Sequence, residues 1–150
     1  MSDLIDAATH TKTAGRLFNR CWDLLEKRVR DGDDDRELVT AALASRYHWQ
    51  TIGTDENLAV ADWMASRAFA TVGDGRAAVD FAKAALARVE RAGIGDWLLA
   101  STYEGLARAY AAAGDRTARD AAHRAAEQSL EAIVDPEDRD LIASQLATVP

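Results

Sequence analysis

Glycine and acidic residues punctuate this chain at regular intervals, and the stretches between them are each about one helix long. The breaks fall at Asp31–Asp35, Gly53–Asp55, Gly73–Gly75, Gly93–Asp96, Gly114–Asp115 and Asp135–Pro136. Between them, apolar residues recur three or four apart, which is the spacing of one helix face. Alanine is abundant and proline is rare in these stretches, so the backbone can keep its helical ladder. The pattern predicts seven helices, over about 11–30, 37–52, 56–72, 75–92, 97–113, 116–133 and 137–147. Gly53, Gly73, Gly93 and Gly114 stand where a helix can end on a left-handed residue. Asp55, Asp96 and Asp135 stand where a carboxylate can accept from the free N–H groups of the next helix. Pro136 takes a first helical position, where its missing N–H is no loss. No segment alternates with period two, so no strand is expected and the fold class is all-α.

A chain of 150 residues suits a single domain, here 1–150, with residues 1–10 expected to be flexible. The formal net charge of −7 disfavours binding to phosphate backbones, so no nucleic-acid partner is expected. The single cysteine, Cys21, cannot form an intramolecular disulfide. No apolar run approaches the length of a membrane span, and Met1–Lys12 lacks the basic start and apolar core of a secretory signal. The expected compartment is the cytoplasm.

The punctuation also repeats. Gly73-Asp74 and Gly114-Asp115 stand 41 residues apart, and that offset lays Leu58-Ala59 on Leu99-Ala100, Arg67-Ala68 on Arg108-Ala109, and Phe69 on Tyr110. The unit is a helix, a Gly-Asp turn and a second helix. One such pair cannot bury its apolar face alone, so successive pairs must stack. In the third helix Leu58, Asp62, Ala65, Phe69 and Val72 share a stripe, with Asp62 expected at its rim, reaching solvent or an arginine.

The segments from Ser66 to Asp74 and from Ala107 to Asp115 resemble the first helix and turn of a tetratricopeptide repeat, with the aromatics Phe69 and Tyr110 four residues before the turn glycine. The small residues Ala78, Ala85 and Ala126 match the second helix of such a unit, and Arg119 stands where the family has a small residue. The resemblance covers about residues 56–133. It implies antiparallel helix pairs stacked as a short right-handed array, with a C-terminal helix, Glu137–Leu146, capping its edge. Segments such as Ser45–Trp49 and Gly93–Trp97 are similar to a group of bacterial proteins without an established activity, so that likeness brings no function.

Patterns that carry catalytic or metal chemistry are scarce. His10, His48 and His123 have no ligand-type spacing, and Asp120, His123 and Glu127 form only half of a carboxylate–histidine motif on one helix face. The run Asp31–Asp35 fails as a calcium loop, because its sixth and twelfth positions hold Arg36 and Ala42; it reads as a solvated linker. No nucleophile elbow or phosphate loop is present. Cys21 reads as a small core residue beside Leu17 and Leu24. No cofactor and no metal is expected.

The remaining feature is aromatic. Trp49 reads as core, and Trp97 as packing across the glycine-rich turn, whereas Trp63 lies one step off its stripe with Arg67 one turn on. In a tetratricopeptide-like stack the first helix of each pair lines a concave groove. The resemblance places Trp63, Arg67 and Thr71 there in one unit, and Ser101, Glu104 and Arg108 in the next. Arg67 and Arg108 are then expected to clamp a carboxylate or phosphate, unless Asp62 or Asp74 takes Arg67 internally and Glu104 takes Arg108. The expected function is a protein- or peptide-binding adaptor for an acidic or C-terminal carboxylate segment. The alternative is a small helical enzyme or ligand sensor with a pocket around His48, Trp63 and Glu104, His48 serving as acid–base group. A homodimer through the alanine-rich fourth and sixth helices is a further option.

Overall fold

The computed structural model describes residues 4–150, and among these it contains seven α-helices and no strand: α1 Ala7–Leu25, α2 Gly32–Ile52, α3 Asp55–Thr71, α4 Gly75–Ala92, α5 Asp96–Ala113, α6 Arg116–Leu130 and α7 Pro136–Leu146. The all-helical expectation holds, and the largest boundary differences lie in the first two helices. α1 starts at Ala7 because the Asp6 carboxylate accepts the Thr9 N–H at 2.7 Å. Residues Ala7–His10 are therefore helical; residues 1–3 lie outside the described residues. The acidic run expected as a linker is the start of α2. Asp31 accepts from the N–H groups of Asp33 and Asp34, and Asp34 returns a bond to the Asp31 N–H. Carboxylates there satisfy free donors and meet the positive end of the helix dipole, which makes this run a start rather than a spacer.

The two Gly-Asp turns are built alike. Asp74 N–H donates to Phe69 O at 2.9 Å, and Asp115 N–H donates to Tyr110 O at 3.0 Å. Each aspartate then caps the next helix, accepting from Ala77 N–H and Ala118 N–H at 3.0 Å. Gly73 and Gly114 make this possible with φ of 87° and 77°. Gly114→Val is accordingly expected to lose about 1 kcal/mol or more, since a β-branched residue is strained there; a urea unfolding midpoint unchanged from the parent would contradict this.

Three sequence expectations about caps are corrected. Gly53 is extended, with φ −84° and ψ 167°, and the cap of α3 is Thr54, in a reciprocal box with Asn57, instead of Asp55. Asp96 does not cap α5 either. It has a left-handed φ of 56°, and its carboxylate instead receives the Val134 N–H at 3.2 Å, tying the segment before α7 to the start of α5.

Helices adjacent in sequence pack together, and α1, α3, α5 and α7 also pack in succession, whereas even-numbered helices lie farther apart, with Arg46 of α2 reaching over the Phe81 ring of α4 at 5.7 Å from its centroid. α5 and α7 run in one direction: Asp96 meets Val134 at one end of α5, and Arg108 meets Gln145 at the other. Buried alanines such as Ala65, Ala68, Ala107 and Ala109 let these backbones approach closely. Hydroxyls tie pairs together, Ser45 donating to Ala14 O and Ser66 to Ala78 O, both at 2.8 Å. Leu24, Leu38, Met64 and Leu98 fill the larger spaces, each contributing roughly 1.5–3 kcal/mol by burial. No helix among the described residues is long and apolar enough to cross a membrane.

Candidate functional site

The odd-numbered helices together wall a cavity of about 340 Å³. α1 contributes Phe18 and Trp22, α3 Val60 and Trp63, and α5 Trp97, Leu98 and Ser101. α7 contributes Asp138, Leu141, Ile142 and Gln145, which are spaced i, i+3, i+4, i+7 and so form one face of that helix. The walls are largely aromatic and aliphatic. Ser101 is 7% exposed, and its hydroxyl makes no hydrogen bond among the described residues.

Trp63 is fixed from two sides. Its indole N–H donates to Glu104 Oε2 at 3.2 Å. Its ring edge lies against Gly105, where a Cβ would stand 2.7 Å from Trp63 Cδ1. The neighbouring Trp22 ring is 5.9 Å away, centroid to centroid.

Glu104 is fully buried and gathers both arginines of the expected groove. Its Oε1 accepts from Arg108 Nε at 2.9 Å and Nη2 at 2.7 Å, and from Arg67 Nη1 at 3.5 Å. Arg108 Nη2 also donates to Gln145 O at 2.9 Å and to Thr148 Oγ1 at 2.8 Å, closing the last turn of α7. Arg67 lies over the rings of Trp22 and Trp63, at 5.5 and 5.9 Å from their centroids. Burial, reinforced by the neighbouring Arg108 charge, pushes the Arg67 guanidinium down to about 10, while Glu104 acts in the opposite direction.

Of the sequence-predicted site residues, Trp63, Arg67, Glu104 and Arg108 are therefore brought together, and Ser101 lies in the same cavity wall as Trp63. The clamp itself needs correction. The carboxylate between the two arginines is the chain's own Glu104, because a cation pair this buried requires an internal counter-charge. His48 is not brought to this group. Its Nδ1 lies 2.8 Å from His10 Nδ1, which joins the start of α1 to α2, and His48 does not line the cavity. A pocket joining His48, Trp63 and Glu104 is thus not assembled. Asp62 is not at a rim: it is fully buried, bonded to Arg46 and 3.7 Å from Arg88. Trp97 lines the cavity in addition to packing near its turn. Cys21 is fully buried, and desolvation pushes its thiol up to about 11, which suits a core residue and not a nucleophile.

Trp22, Gln145 and Asp138 were missed, although the sequence carries a pointer to them. The 41-residue spacing extends beyond the two aligned units: Trp22, Trp63, Glu104 and Gln145 are successive members of one series, Val60, Ser101 and Ile142 of a second, and Trp97 and Asp138 of a third. Among the described residues, no group of three or more His, Cys, Asp or Glu side chains converges as a metal site would require. The chain matches no family model and no curated protein.

Proposed function

We propose that this chain is a protein- or peptide-binding adaptor that takes a large apolar side chain of its partner into the tryptophan-walled cavity. The observation that carries this reading is the fixed position of Trp63. A buried carboxylate, two arginines and a glycine hold one indole in the wall of an open apolar cavity. Pre-organised aromatic pockets of this kind lower the ordering cost of binding and act as hot spots. In this reading the helices form a short right-handed tetratricopeptide-like array working in the cytoplasm. α7 caps its edge, and the face shared by α1, α3, α5 and α7 is the groove. Glu104, Arg67 and Arg108 then serve as positioning residues for Trp63, and the cavity is the anchor site.

The cavity volume also lies within the range of small-molecule pockets, which favours a ligand sensor as the second reading. One experiment separates the two. Ser101→Trp fills the cavity from the α5 side. Selection from a displayed random-peptide library should yield peptides with a large apolar residue, and Ser101→Trp should weaken them at least tenfold while leaving the helical circular dichroism intact. Selected peptides that bind parent and variant alike would overturn the anchor site. A single free aromatic compound that binds as tightly as any peptide would favour the sensor.

A further inference from the structure

We infer that the segment docking on this cavity is basic, with a lysine or arginine next to its apolar anchor, and that Asp138 is the residue that selects it. This rests on the anchor site proposed above and names the partner's chemistry. Arg67 and Arg108 do not line the cavity, and both are drawn to Glu104. Among the described residues Asp138 is the only charged one that does line it, and it forms no ion pair with any of them. It stands in the first turn of α7 beside the exposed Glu137, with exposed Asp140 two residues on. The intervening Arg139 is turned back on its own loop, donating to Ile133 O at 2.7 Å. On the α7 side the cavity therefore presents one carboxylate, that of Asp138, on a chain whose net charge is −7.

A second observation points into the same space. The Ser101 hydroxyl, on a residue 93% buried by its 7% exposure, opens into the cavity without a partner. The oxygen stays accessible from the cavity, so an incoming peptide backbone or side-chain N–H can donate to it. An apolar anchor accompanied by a cation thus satisfies the tryptophan walls, the free hydroxyl and the free carboxylate together. Charge complementarity of this kind adds selectivity and on-rate more than raw affinity.

Capped pentapeptides Gly-Lys-Phe-Lys-Gly, Gly-Gln-Phe-Gln-Gly and Gly-Glu-Phe-Glu-Gly, with Gly-Lys-Ala-Lys-Gly as the anchorless control, test this against the whole chain. Binding is read by calorimetry and by tryptophan fluorescence, at low salt and at physiological salt. The lysine peptide should bind about tenfold more tightly than the glutamine peptide and more tightly again than the glutamate peptide, with the difference shrinking in salt. Asp138→Asn should remove the lysine preference, so that the lysine and glutamine peptides bind the variant alike. A parent protein that prefers the glutamate peptide, or an Asp138→Asn variant that keeps the lysine preference, overturns the inference but leaves the anchor site standing. Phenylalanine peptides that bind no better than the alanine control overturn the anchor site itself. Phenethylamine binding as tightly as the lysine peptide would assign the cavity to a small amine instead of a segment.

Discussion

Replacing Glu104 with alanine is expected to destabilise the protein by about 3–5 kcal/mol, the range for removing one partner of a buried charge pair. Three groups lose their acceptor together. Arg108 keeps Gln145 O and Thr148 Oγ1, but its two bonds to the carboxylate vanish. Arg67 loses its single hydrogen bond, and its charge then faces Arg108 with nothing between them. The Trp63 indole N–H is left buried without an acceptor, which adds to the loss. Glu104→Gln keeps the size and can still accept from Trp63, so it should be milder than alanine while still leaving two cations uncompensated. Chemical unfolding followed by circular dichroism measures both variants. The double variant Glu104→Leu with Arg67→Met should recover part of the lost stability, because an apolar pair of similar volume removes both the charge and its counter-charge. An alanine variant within 1 kcal/mol of the parent would mean that the network does not hold the cavity wall in place.

Gly105→Ala is expected to destabilise the protein by roughly 1–3 kcal/mol. A methyl there would stand 2.7 Å from Trp63 Cδ1 and 3.0 Å from Nε1. An indole is rigid, and this one is held by Glu104 on its N–H side, so it cannot yield without giving up that bond. Two readouts should change together: the unfolding midpoint should fall, and tryptophan emission should shift as Trp63 leaves its buried position, 7% exposed in the parent. Any ligand of the cavity should bind Gly105→Ala more weakly in proportion to that displacement. An alanine variant with parental emission and stability would show that the helices part to admit the methyl, and that α5 is not pressed against this ring.

The positions of these residues were partly legible beforehand. Trp63, Arg67, Glu104 and Arg108 could be placed near one another from the 41-residue spacing of Trp63 to Glu104 and of Arg67 to Arg108. Their pairing could not. Arg67 and Arg108 are equivalent in spacing, yet Arg108 meets Glu104 one turn away on its own helix, and Arg67 reaches the same oxygen from α3. Periodicity places a side chain on a face but does not reveal which neighbour will neutralise it. Asp62 shows the same limit. Its place on an apolar stripe suggested a rim, and only the approach of Arg46 from α2 and Arg88 from α4 makes complete burial tolerable.

What the sequence by itself determined was local. The abundance of alanine, the Gly-Asp turns and the proline at the start of α7 specify seven helices and most of their ends, because helix propensity, left-handed glycine and side-chain caps act within a few residues. The cavity was decided only by the tertiary structure. Phe18, Trp22, Trp97 and Asp138 are far apart in the chain and converge because α1, α3, α5 and α7 pack in succession. The histidine pair arose in the same way, with His10 and His48 meeting across two helices and away from the cavity. A helix face records that it is covered, through the spacing of its apolar residues; what covers it depends on the crossing of helices, which is set by side-chain volumes summed over the whole interface.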